Sequence, residues 1–245
     1  MSKTILITGS SDGIGLEAAR LLAGEGHRVI LHGRSSAKLA RAKEGHQVLA
    51  ECKTLAADLS DFAQLERMAQ EVERRLGALD VLINNAGVFK VADPVTPSGL
   101  DIRFVVNTLA PYLLTRLLFP IIPADGRVLN LSSAAQAPLS ERALRGLEQL
   151  SDSAAYAQSK LAITAWSRHM AQALPEGPVI IAVNPGSLLA TKMVREAYGM
   201  AGKDVGQGAC ILDELAVSPE HAGATGLYFD NDNGRFAAPH PDALD

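Results

Sequence analysis

The chain has 245 residues, 47% of them hydrophobic, and a formal charge of −4 with acids and bases interspersed, so it can bury one sizeable core and carries no basic stripe to neutralise the phosphates of a nucleic acid. DNA and RNA are excluded as partners on that ground. Its two cysteines, Cys52 and Cys210, lie far apart without neighbouring histidines, which argues against a disulfide framework or zinc site and for buried thiols in a reducing, cytoplasmic compartment.

The start, Met1-Ser2-Lys3 followed by a short apolar run, lacks the long apolar core and small-residue cleavage site of a signal peptide. No apolar run approaches the roughly 20 residues that cross a bilayer, so no membrane span is expected. Apolar, β-branched runs at residues 4–7, 28–31, 47–53, 81–83, 127–131 and 179–183 read as strands, mostly separated by segments long enough for a helix. After the first strand, Ile14, Ala18, Leu21 and Leu22 recur at helical spacing and Gly24 with Gly26 supplies the stop. Residues 61–76 repeat that rhythm through Phe62, Leu65, Met68, Ala69, Val72 and Leu76, with Asp61 as the N-cap. Strands alternating with helices predict a doubly wound α/β fold with a mostly parallel sheet, in one domain over residues 1–245. Two irregular stretches, 136–153 and 187–218, follow the C-terminal ends of strands, the edge where open α/β sheets bind ligands. Within the second, residues 188–215, with Met193, Tyr198, Met200 and several glycines, read as a mobile lid over an apolar substrate.

The first strand runs directly into Thr8-Gly9-Ser10-Ser11-Asp12-Gly13-Ile14-Gly15, which opens the first helix. Glycines there let the backbone turn tightly and approach a pyrophosphate, while the helix N-terminus offers amides and partial positive charge; Gly9, Ser11, Asp12, Gly13, Ile14 and Gly15 are the candidate phosphate cradle. After the second strand stands Arg34, where a doubly wound nucleotide fold places the group that meets the adenosine ribose. An acidic residue there would favour a free 2′-hydroxyl; a guanidinium favours a 2′-phosphate, so NADP(H) is preferred, with NAD(H) left open. Further on, Tyr156 and Lys160 are four apart in a segment of helical periodicity extending to Leu174, which puts both on one face. An ammonium there would stabilise the phenolate and ease proton exchange. Taken singly, each of these patterns has a plainer reading, as a Gly-rich turn, a solvated arginine or a surface stripe. His32, His169 and His221 lack ligand spacing and read as structural or exposed, and no metal site is expected.

Taken jointly and in order, these motifs resemble the short-chain dehydrogenase/reductase family along nearly the whole chain, which implies a Rossmann fold. Thr8 to Gly15 is similar to its TGxxxGxG loop, Asp58-Leu59 to its adenine-contacting pair, and Asn84-Asn85-Ala86-Gly87 to its NNAG motif, in which Asn85, Ala86 and Gly87 would pack on the cofactor ribose. Asn107, Ser133, Tyr156 and Lys160 match the catalytic Asn-Ser-Tyr-Lys set, with Ser132 as the alternative to Ser133, and Pro185-Gly186 matches the segment that meets the nicotinamide. A narrower likeness, through residues 104–109, Gly226-Leu227-Tyr228-Phe229 and the final Pro241-Asp242-Ala243-Leu244-Asp245, is to the retinol dehydrogenase-like branch. The resemblance implies hydride transfer between NADP(H) and a small hydrophobic alcohol or carbonyl substrate, Tyr156 as acid/base, Ser133 on the substrate oxygen, Lys160 on the nicotinamide ribose, and Asn107 holding a water through a local helix distortion. It also implies a homodimer or homotetramer through the helices around 109–118 and 156–174.

Three positions depart from the family pattern. Residues 137–152 form an insertion between Ser133 and Tyr156; Thr191, the carboxamide contact, comes one residue late, with Ser187 or a backbone amide as substitute; and Asp12 stands where some NADP-preferring members carry a base. Two competing readings are a nucleotide-sugar epimerase or dehydratase, against which chain length speaks, and a non-catalytic dinucleotide sensor, against which the intact Tyr156–Lys160 pair speaks.

Overall fold

The structure is a computed structural model that describes residues 1–199 and 201–244, the side chains of Ala197 and Tyr198 apart. Its first half runs β1 (Thr4–Ile7), α1 (Gly13–Gly24), β2 (Arg28–Gly33), α2 (Ser36–Glu44), β3 (Lys53–Ala56), α3 (Phe62–Leu76), β4 (Val81–Asn84), α4 (Ile102–Phe104), a π-helical segment (Val105–Leu109) and α5 (Ala110–Leu118). The second half runs β5 (Arg127–Leu131), α6 (Glu141–Leu144), α7 (Asp152–Ala173), β6 (Val179–Asn184), α8 (Lys192–Tyr198), α9 (Val205–Val217), β7 (Tyr228–Asp230) and β8 (Arg235–Ala237).

Strand alternation builds two cores, one on each face of the sheet. Ile5 and Ile7 of β1 point to one face, where they meet Ala18, Ala19 and Leu22 of α1 and Leu212 and Leu215 of α9. Leu6 points to the other, among Leu65 and Val72 of α3, Leu114 and Leu118 of α5 and Met170 of α7. Each such buried aliphatic side chain stabilises the fold by about 1.5–3 kcal/mol. The strands lie in the order β3-β2-β1-β4-β5-β6-β7-β8, parallel except for the β7–β8 hairpin. Chain order reverses between β1 and β4, which opens a crevice at the carboxyl ends of those strands.

Several expectations are corrected. The third strand is Lys53–Ala56 instead of 47–53, and Gln47–Leu49 is a 3-10 turn whose Leu49 is buried in the α1-side core. An edge strand with only Leu55 buried carries little apolar signal, whereas Val48-Leu49 looks like a strand because it packs on helices. The expected lid is also too long. Its second half is α9, which buries Ala209, Ile211, Leu212 and Leu215 against α1. Of the apolar residues named for that lid, Met200 and the Tyr198 side chain lie outside what is described. The helical run Ile102–Ile121 is 20 residues and apolar enough, by length and composition, to cross a bilayer, contrary to the sequence expectation. Here it packs on α3 and α7 and buries Phe104, Val105 and Leu114. The insertion 137–152 holds α6, capped by Ser140, and docks on the 94–101 segment, where a Cβ on Gly146 would stand 2.3 Å from Gly99 O. None of its residues lines the crevice.

Candidate active site

The crevice is a cleft of about 1140 Å³, larger than the ~300–1,000 Å³ of ordinary small-ligand sites, so it has room for a dinucleotide and a substrate end to end. Its floor is made by two loops bonded to each other. Thr8 Oγ1 accepts from the amides of Asn85 and Ala86 at 3.0 Å each, and Asn85 Nδ2 donates to Thr8 O at 2.8 Å and Gly9 O at 3.0 Å. Gly9, at φ +65°, lies so close to Ala86 that a Cβ would stand 2.8 Å from its Cα. Gly15 does not line the cleft; it lets α1 approach Asn85, whose Nδ2 would be 2.4 Å from an added Cβ. Asp12, at the N-cap of α1, makes no side-chain capping bond, so no carboxylate competes for the helix's first amides. Gly9, Ser11, Asp12, Gly13 and Ile14 all line the cleft, and this uncapped, glycine-lined terminus fits a pyrophosphate.

Towards one end the cleft is lined by Arg34, Asp58 and Leu59, and also by His32 and Lys38. Asp58 Oδ1 accepts from Ser60 N at 2.9 Å and Ser60 Oγ at 2.7 Å, which fixes its carboxylate at the rim. Arg34 is exposed, and Ser35 caps α2 by accepting from Lys38 N, so two cations and a helix N-terminus gather there. His32 is 1% exposed; its Nδ1 accepts from Gly9 N at 3.1 Å and its Nε2 meets Ala57 O at 3.1 Å. Burial holds its pKa down to about 4, partly countered by the Ala57 bond, so the ring is neutral and joins the phosphate loop to the end of β3. Sequence reasoning gave neither His32 nor Lys38 a place in the cleft; the alternation of β2 was the available signal for His32, and the helical offset from Arg34 for Lys38.

At the other end, Ser133, Tyr156 and Lys160 converge on the same cleft. Tyr156 and Lys160 share a face of α7, with Lys160 Nζ 5.6 Å from the phenol ring centre, and Phe89 packs edge-on to that ring at 4.9 Å. Lys160 is 4% exposed and donates to Leu131 O at 2.6 Å; burial pulls its pKa down to about 8. The two candidate serines both line the cleft and differ in their partners. Ser132 is buried with its hydroxyl on Lys160 O and Thr164 Oγ1, whereas Ser133 is half-buried and, among the described residues, its Oγ accepts from the nearby Ala135 amide, at 3.1 Å. Arg103, 1% exposed, pairs with Asp101 and with Asp152, tying α4 to the first turn of α7, one turn before Tyr156.

Asn107 sits in the π-helical segment, the distortion expected of it, but does not line the cleft. Its side chain brackets Val88, donating to Val88 O at 2.9 Å and accepting from Val88 N at 2.8 Å, and donates to Ser159 Oγ at 3.0 Å. A Cβ on Gly87 would meet Asn107 Oδ1 at 3.4 Å and Lys160 Nζ at 3.7 Å, so both flank the bare Gly87 backbone. Pro185, Gly186 and Thr191 line the cleft, and Thr191 caps α8 by accepting from Val194 N. Its methyl lies opposite Gly13, 3.7 Å from where a Cβ would be. Ser187 donates both its amide and its hydroxyl to Asp232, so it has no donor left to substitute for Thr191.

Comparison with known proteins agrees with this geometry. Residues 3–201 match the family model of the short chain dehydrogenases. Polyprenol dehydrogenase of Homo sapiens is 33% identical over 254 residues, covering 94% of this chain and 77% of that protein. Retinol dehydrogenase 12 of Mus musculus is 34% identical over 248 residues, covering 93% and 77%. Among solved structures, a blue fluorescent protein from a metagenomic library in complex with NADPH superposes with a TM-score of 0.74 at 27% identity, covering 96% of this chain and 98% of that one. The chain therefore belongs to the short chain dehydrogenase family, is retinol dehydrogenase-like within it, and is an NAD(P)-dependent oxidoreductase of alcohol or carbonyl groups.

Proposed function

We propose that the protein uses NADP(H) to interconvert a carbonyl and an alcohol on a small hydrophobic substrate, with Tyr156 as acid/base. The observation that carries this reading is the placement of Ser133, Tyr156 and buried Lys160 at one end of a cleft whose other end holds Arg34 and Lys38. The loop Gly9–Ile14 would hold the pyrophosphate, Asp58 and Leu59 the adenine, Asn85–Gly87 and Lys160 the nicotinamide-side ribose, and Pro185, Gly186 and Thr191 the nicotinamide. When bound, the reduced nicotinamide supplies the hydride to the carbonyl carbon. Tyr156 gives its hydroxyl proton to the carbonyl oxygen, and Ser133 hydrogen-bonds the same oxygen and holds it for transfer. The Lys160 ammonium stabilises the phenolate left behind. Asn107 keeps the Gly87–Val88 backbone in place beside Lys160. Val88, Phe89, Val91, Ile102, Leu189 and Met193 make the substrate end apolar, which supports a hydrophobic substrate. A cytoplasmic setting and association through α5 and α7 belong to the same reading, supported by the unpaired Cys52 and Cys210 and by exposed Tyr112 and Leu117.

Mixed with NADPH and a panel of aromatic and aliphatic ketones, the protein oxidises NADPH, read as loss of nicotinamide absorbance. Tight NADPH binding without turnover on any ketone would favour a sensor. Arg34→Asp raises the NADPH dissociation constant about 10–100-fold, the worth of a charge-assisted pair to phosphate, and changes that for NADH far less. Equal shifts for the two cofactors would remove Arg34 from phosphate recognition.

A further inference from the structure

The β7–β8 hairpin touches two segments that line the cleft, after β5 and after β6. Tyr228, 7% exposed, donates its hydroxyl to Ser133 O at 3.1 Å, and Gln136 Nε2 donates to the same carbonyl at 3.0 Å. Ser133 lies beyond the end of β5, where no sheet ladder holds it, so these two donors and the Ala135 bond set where its hydroxyl points. The same hairpin also grips the segment after β6. Asp232 accepts from Ser187 N at 2.9 Å and from Ser187 Oγ, Asn184 Nδ2 donates to Asp230 and Asp232 at 2.8 and 2.9 Å, and Asn231 Nδ2 donates to Pro185 O at 2.8 Å. Three consecutive residues, the last of β7 and the first two of the turn, thus fix the backbone that carries Pro185 and Gly186, the latter at φ +119°, a conformation that glycine adopts readily.

We propose that the β7–β8 hairpin is the positioning device for both walls of the catalytic cleft, Tyr228 setting Ser133 through its carbonyl and Asp232 setting the 184–187 segment through Ser187. Neither residue touches the reacting atoms; both act through others. The reason to expect an effect on turnover is geometric, since a misplacement of about 1 Å at a reacting centre costs about 10²-fold in rate. This rests on the reading that Ser133 holds the substrate oxygen and that Pro185 and Gly186 face the nicotinamide.

Two variants separate the walls. Tyr228→Phe keeps the ring and removes one hydrogen bond, so kcat falls about tenfold while the NADPH dissociation constant and the thermal midpoint stay near wild type. Asp232→Asn weakens NADPH binding about tenfold and leaves the affinity for 2′-phospho-ADP-ribose, which lacks the nicotinamide, unchanged. Ser187→Ala reproduces that split with the turn's charge intact, so misfolding of the Asp232 variant cannot mimic it. Amide exchange reads the same walls without turnover: Ala135 exchanges faster in Tyr228→Phe, and Ser187 faster in Asp232→Asn. Unchanged kcat and Ala135 exchange in Tyr228→Phe, or equal loss of NADPH and fragment binding in Asp232→Asn, would overturn the proposal. If instead the wild type reduces no carbonyl, the oxidoreductase mechanism above fails, and the exchange and binding arms decide the hairpin's role by themselves.

Discussion

Tyr156→Phe lowers kcat for carbonyl reduction about 10²–10⁴-fold, the range that a positioned general acid contributes, and leaves NADPH affinity at the wild-type value. The substitution removes only the hydroxyl. The ring keeps its edge-on packing with Phe89, 4.9 Å between centres, and Lys160 keeps its bond to Leu131 O, so the cofactor-facing groups stay in place. Steady-state kinetics with the best ketone from the panel, alongside a fluorescence titration of NADPH, measures both quantities. Retained turnover would take the proton donor away from position 156; joint loss of turnover and NADPH binding would show that the ring is structural.

Lys160→Met separates function from stability more sharply. Lys160 is 4% exposed and burial lowers its pKa from 10.5 to about 8. A lysine with a folded pKa below its unfolded value binds fewer protons when native, so wild-type stability is lowest below pH 8 and rises as pH climbs from 8 to 10.5. At pH 7 the burial of this charge costs roughly 3 kcal/mol, at about 1.4 kcal/mol for each unit of depression. Methionine fills nearly the same volume without that cost but leaves Leu131 O without its 2.6 Å donor, which returns about 1–1.5 kcal/mol. The variant is therefore more stable than wild type at pH 7 by about 1–2 kcal/mol, and the gap closes at about pH 9.5 and reverses above it, once the charge penalty falls below the worth of the lost bond. Its kcat falls by at least about 10²-fold, because the phenolate loses its nearby cation. Urea unfolding at pH 7 and pH 10, set beside turnover at pH 7, tests this. A variant less stable than wild type at pH 7 would mean that the ammonium's bond to Leu131 O outweighs its desolvation.

Much of the fold is legible in the sequence. Short continuous apolar runs alternating with period-3.6 helices specify a doubly wound sheet, because each strand of a two-sided sheet must bury both faces and each helix one. The glycine loop is legible because glycine is favoured where φ is positive, as at Gly9 and Gly13, and needed where backbones nearly touch, as at Gly9 against Ala86. The Tyr156–Lys160 pair is legible because a four-residue offset puts two side chains on one helix face wherever that helix lies. These are local constraints, and local sequence carries them.

The rest depends on which segments meet. Residues 205–215 look like part of a glycine-rich lid until α1 supplies the apolar surface that Leu212 and Leu215 need. Ser132 and Ser133 are the same residue type side by side, and both line the cleft; only the approach of α7, with Lys160 O and Thr164 within bonding distance, takes the Ser132 hydroxyl and not that of Ser133. Ser187 looks free to contact a carboxamide until Asp232, 45 residues later, takes both of its donors. Spacing within single segments was enough for the mostly parallel sheet, the glycine loop before α1 and the shared helix face of Tyr156 and Lys160. The tertiary structure alone decided which polar groups remain available for chemistry, because a hydrogen-bond donor can be claimed by a partner that no local pattern reveals.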